Sequence, residues 1–296
     1  MASFPNSNRT LIRSSNITNA PPDFPFAIEG CGDYTGNMVQ ILSLALSHLP
    51  LVIYDTRNGV RSPYGFKAWF KSDEVSTYVR QILWSIATAQ TLKGLMPEPK
   101  IPTAPRFACI TPATIHLYSF LPPDWGLQCD MLGQVASFYL GGSSYIFICP
   151  YFWHFQVVPP RRNCPSVVRN EFRGDYHSNF AEFSMYIIIH EMVHFYLGTA
   201  SLSPQTKPPE TYPINDVVAL NIEDSIHNPM NYQYYLAMVL QSCIAFPNPD
   251  RPPFSPVQRN GTEAGATTIA SAIATQSLTS VSNADTEMDI PSATTW

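Results

Sequence analysis

The chain has 296 residues, 45% of them hydrophobic, and a net charge of −5 at neutral pH, so it can bury a sizeable core as one large domain or two small ones. Charged residues make up only 13%, about half the usual share, and no basic cluster suited to nucleic acid is present. The longest apolar runs fall short of the roughly 18 residues of a membrane span, so neither nucleic acid nor a membrane is an expected partner.

Residues 1–25 are polar and proline-rich and are expected to form a flexible arm; they lack the apolar stretch of a signal peptide. The folded part is expected over 26–246. Apolar residues recur at helical spacing in MVQILSLALSHL (38–49) and again in VSTYVRQILWSIATAQTL (75–92), which follows the cap-like Ser72-Asp73-Glu74. The period then changes. RFACIT (106–111), ASFYLGG (136–142) and SYIFICP (144–150) are short, β-rich and punctuated by Gly and Pro, and predict strands. Helical character returns over 178–198, where Gly198 is a natural stop, and a last helix is expected over 228–246. Helices, then strands, then helices predict an α+β fold. Residues 247–296 open on a proline-rich breaker and continue rich in Ser, Thr and Ala. They carry too little large apolar surface to offset ordering entropy and predict a disordered tail, with a transient helix around 263–275.

Six cysteines allow 15 pairings, and no C-x-x-C spacing suggests a thiolate zinc site. The cysteines favour an oxidising compartment. Three N-x-S/T sequons, at Asn8, Asn16 and Asn260, add little, because chance yields about as many.

The chemistry concentrates in YIIIHEMVHFYLG (186–198). On a helix, His190 and His194 share one face, and each can offer a ring nitrogen to one metal ion. Glu191 lies about 100° round from His190, where it can reach a metal-bound water rather than the metal. H-E-x-x-H therefore suits zinc-assisted hydrolysis, with two ligands and a general base. An ordinary core helix is the competing explanation, but His, Glu and His among Ile, Met, Val, Phe and Tyr are costly to bury unless paired or metal-bound. Candidates for a third protein ligand are Glu210, Asp216, Glu223, Asp224 and His227, and spacing does not choose among them. Position 200 is Ala, which excludes the metzincin pattern.

Over roughly residues 31–243 the chain resembles the aspzincin metallopeptidases, the deuterolysin and peptidyl-lysine metalloendopeptidase group found largely in fungi. Four pieces carry the resemblance: the His190–His194 helix; YIFICPYFW (145–153), similar to the strand and turn preceding that helix; Cys164 at the family's spacing from Cys149; and VVALNIEDSIHNPMNYQYYLAMV (217–239), similar to the family's C-terminal helix, with Asn228, Asn231, Tyr232 and Tyr235 at matching positions. The resemblance implies a zincin-like metallopeptidase domain with a helical N-terminal part, a small sheet and an active-site helix. It implies a secreted, monomeric zinc endopeptidase acting on proteins or peptides, with Zn2+ on His190 and His194, Glu191 as base and Tyr212 steadying the oxyanion. It also implies disulfides Cys149–Cys164 and Cys109–Cys129, leaving Cys31 and Cys243.

One feature departs from the family. Its third ligand is an Asp three residues before the tyrosine matched by Tyr212, and that position is Pro209. Glu210, the next residue, is the expected third ligand with His190 and His194; Asp216 through a rearranged loop is the second choice, and loss of the ligand is the third outcome. Loss would make the chain a catalytically impaired secreted domain with a binding or effector role. A gluzincin-like site with Glu223 as ligand is a further alternative. Some family members favour lysine through acidic residues, for which Glu223 and Asp224 are candidates.

Overall fold

The structure, a computed structural model, describes residues 24–90, 104–111, 114–121, 129, 135–159, 161, 163–168, 171–173, 180–199 and 210–243. Nearly all of the expected N-terminal arm, the tail, the three sequons and Pro209 lie outside them. Contacts divide the chain into Met1–Ser255 and Pro256–Trp296, and every described residue belongs to the first.

The described residues form a mixed α+β fold. Strands β1 (Ala27–Glu29), β2 (Arg106–Cys109), β3 (Ser137–Tyr139) and β4 (Tyr145–Ile148) make a sheet in the order β1-β2-β4-β3, in which only the β3–β4 pair is antiparallel. Strands β5 (Ser166–Val168) and β6 (Glu171–Arg173) pair separately. The helices are α1 (Thr35–Asp55), α2 (Phe66–Phe70), α3 (Ser76–Thr88), α4 (Ser184–Leu197), α5 (Ile214–Ala219), α6 (Ile222–His227) and α7 (Pro229–Leu240).

Alternate residues of a strand point to opposite faces, and both faces of this sheet are covered. Phe107, Tyr139, Ile146 and Ile148 join the helices in one core, while Ala108, Phe138, Tyr145 and Phe147 join Tyr118 and Leu121 in another. That double burial explains why the strands read as continuous apolar runs.

The expected helices form, with shifted ends. Helix α1 runs beyond residue 49 and through Pro50, because Val52 and Asp55 continue its buried face. Before α3, Ser72 accepts a hydrogen bond from the Glu74 amide, as a cap should. Helix α4 ends at Gly198, whose φ of 70° is the left-handed stop.

The stretch Gly32–Arg61 corrects the expectation about membrane-length segments. By length and composition it could cross a membrane. Asn37, Gln40, Ser43 and His48 interrupt its apolar runs without adding charge. In the fold its central helix is a core element: Met38, Leu42, Ala45, Leu49 and Val52 are fully buried, and it packs against α3, α4 and α7.

The disulfides also differ from the expected pairs. They are Cys31–Cys109, Cys129–Cys149 and Cys164–Cys243. The parallel pairing of β1 with β2 explains the first, since it carries Cys31, just past β1, to the end of β2. The intervening Gly30 has φ 69°, and a Cβ there would lie 2.9 Å from the Cys109 carbonyl oxygen, so the turn requires glycine.

Helix α7 is held by polar contacts reaching far along the chain. Tyr235 donates to Asp55 Oδ2 at 2.6 Å, and Asp55 also accepts from Ser62 and Asn58. Asn231 Nδ2 donates to the Trp69 carbonyl at 2.6 Å.

Several tyrosines report the integrity of this core. Burial pushes the Tyr186 phenol up to about 12, against a hydrogen bond with Gln241, and burial also raises Tyr139, Tyr196 and Tyr232. A phenol raised in the folded state contributes stability that is complete below pH of about 10, the unfolded value, and is lost as pH rises through the folded value. Phenolate absorbance against pH should therefore rise in two phases, the second coinciding with loss of near-ultraviolet circular dichroism. A single phase centred near pH of about 10 while the fold persists would contradict this packing.

Candidate metal centre

Helix α4 is apolar nearly all round, the pattern of a helix enclosed by other elements. It packs against α1, α3 and α7 and against β3 and β4, and every residue from Ser184 to Tyr196 except Ile187 is buried. Within it, His190, Glu191 and His194 are 6%, 4% and 1% exposed. The two imidazoles, one turn apart, have ring centroids 4.9 Å apart.

Glu210 comes from the segment before α5 and meets both rings. Its Oε1 lies 3.0 Å from His190 Nε2 and its Oε2 lies 3.1 Å from His194 Nε2. One ligand atom from each of the three residues falls within 4.8 Å of the others, so the group could hold a metal ion. Asp216 and Glu223 are exposed, and neither they nor Asp224 and His227 join this group. Asp224 is instead engaged with Asn221 at the start of α6, and His227 Nδ1 bonds the Glu223 carbonyl.

Burial alone would raise the Glu210 carboxyl pKa, but the charges of His190 and His194, with the hydrogen bond to His194, hold it well below the usual range. Burial would likewise lower His190, and the Glu210 carboxylate reverses that and raises it. Gln233 lies close enough to His190 to add to the upward shift, yet no hydrogen bond of normal geometry forms at His190 Nδ1. Glu210 Oε1 also lacks an aligned hydrogen bond despite its 3.0 Å approach to His190.

No known family model and no curated protein matches the chain.

Further side chains complete the centre. Tyr212 donates to Glu210 Oε2 at 2.6 Å, and its ring stacks at 6.4 Å on His190. Ser137, on the same face of β3 as Tyr139, donates to Glu191 Oε1 at 3.2 Å. Thr199 Oγ1 sits 2.9 Å from His194 Nδ1, where accepting a hydrogen bond from Nδ1–H would leave the Nε2 lone pair for a ligand role. Asn228 and Tyr234 hold the main chain of Thr211 and Tyr212. Ser137, Thr199 and Tyr234 were not singled out in the sequence, because their roles depend on contacts between segments distant in the chain or beyond the helix end. Asn228 was named in the sequence only for its place in the resemblance, and its contact joins residues 17 apart in the chain.

Proposed function

We propose that the chain is a zinc-dependent endopeptidase of aspzincin type in which Glu210 replaces the family's aspartate as third ligand. The observation that carries this is the carboxylate of Glu210 set between the Nε2 atoms of His190 and His194, 3.0 and 3.1 Å from them. Two imidazoles and one carboxylate are also a donor set found in catalytic zinc sites.

His190, His194 and Glu210 would hold the ion, which when bound supplies a more acidic water and polarises a carbonyl. Glu191 would accept a proton on its carboxylate and return it to the leaving amine. Ser137 would keep that carboxylate oriented. Tyr212, 45% exposed with its hydroxyl at the cluster, would turn that hydroxyl from Glu210 to donate to the oxygen that gains charge. Three disulfides support secretion, and the substrate class is a protein or peptide chain.

Elemental analysis tests the ligand set. Wild type and Asp216→Ala should each carry about one zinc per chain, and Glu210→Ala should lose most of it. Little zinc in the wild type would sink the proposal. Full zinc without hydrolysis of a denatured protein would favour the impaired domain that Pro209 suggests.

A further inference from the structure

Asn228 stands at the N-cap of α7 but makes no side-chain cap there. An asparagine in that position usually accepts a hydrogen bond from an amide in the first turn. Here its Oδ1 accepts from the Thr211 amide at 3.1 Å, and its Nδ2 donates to the Thr211 carbonyl at 3.1 Å. One side-chain amide thus holds both main-chain polar groups of a single residue, as a neighbouring strand would. Nδ2 also donates to Asn231 Oδ1 at 2.7 Å, which fixes the amide orientation, and Asn231 is tied to Trp69. One turn and a half further along α7, Tyr234 donates to the Tyr212 carbonyl at 2.8 Å. Asn228 is 5% and Asn231 0% exposed, so water does not readily substitute for these bonds.

The clamped residue lies between Glu210 and Tyr212, the two side chains that meet the histidines. We propose that Asn228 is the positioning residue of the metal centre: its amide fixes Thr211 so that the Glu210 carboxylate reaches both imidazoles. This rests on the three-ligand zinc reading above. It assigns to α7 the task of presenting a ligand that belongs to another segment, rather than packing alone.

The test is cobalt(II) binding, followed through the visible absorption of the bound ion, in wild type, Asn228→Ala, Asn228→Ser and Tyr234→Phe. Outer contacts of a metal site usually contribute 10- to 100-fold in affinity. Asn228→Ala should therefore bind cobalt about 10- to 100-fold more weakly, with a changed spectrum. Serine is a good helix cap but too short to span the Thr211 peptide. Asn228→Ser should fail as alanine does if the clamp matters, and recover if only the helix start matters. Tyr234→Phe should weaken binding by about two- to tenfold, the worth of one hydrogen bond. It serves as the deciding variant if the Asn228 changes prevent folding. Metal-free melting temperatures show whether each variant folds. Unchanged affinity and spectrum in the folded variants, or recovery in Asn228→Ser, would overturn the positioning role while leaving the zinc reading intact. Failure of wild type itself to bind cobalt would overturn both.

Discussion

Glu191→Gln is expected to hold zinc as the wild type does and to hydrolyse a denatured protein about 10²- to 10⁴-fold more slowly, the usual worth of a general base. Glutamine has nearly the same shape, and its carbonyl oxygen can still accept the Ser137 hydrogen bond that Glu191 Oε1 accepts at 3.2 Å. What it cannot do is take a proton. Because Glu191 is buried and is not among the three residues that converge at the candidate metal centre, the substitution separates base from ligand. Paired zinc analysis and initial rates decide the matter. Activity within tenfold of wild type would remove Glu191 from the mechanism, and loss of zinc would mean that it helps hold the ion.

The parts of this fold that were legible in the sequence are those with a long period. Helices α1, α3, α4 and α7 each show enough turns for apolar spacing to emerge, and β2, β3 and β4 are bounded by Gly or Pro. Helix α2 has five residues, too few for a period to register, and strand β1 is Ala-Ile-Glu, without the aromatic residues that mark β3 and β4. The H-E-x-x-H pair was legible because both histidines share one helix. Glu210 could be put first only through the resemblance, since spacing alone does not show the contacts that Asn228 and Tyr234 make with residues 211 and 212. The disulfides were illegible for a related reason. Cys31 meets Cys109 because β1 lies beside β2, and no spacing along the chain encodes that adjacency.

Removing the Cys164–Cys243 bridge, by Cys164→Ala together with Cys243→Ala, is expected to lower stability by about 4.5 kcal/mol. That figure is the loop-closure entropy of a 79-residue separation. It is a large share of the 5–15 kcal/mol that keeps a typical domain folded. Folded-state contacts at this bridge partly survive its loss, because Gln241 still accepts from the Asn163 amide at 2.9 Å and donates to the Phe180 carbonyl. Most of the cost should therefore come from the freer unfolded chain. The corresponding loss for Cys129–Cys149, with a separation of 20, is about 3.3 kcal/mol. Denaturant unfolding of the two double-alanine variants should thus rank Cys164–Cys243 as the more costly by about 1.2 kcal/mol. Cys31–Cys109, with a separation of 78, should match the larger loss. The reverse ranking would place the effect in native packing. Cys149, fully buried at the end of β4, would then leave a cavity as alanine that outweighs the shorter free loop.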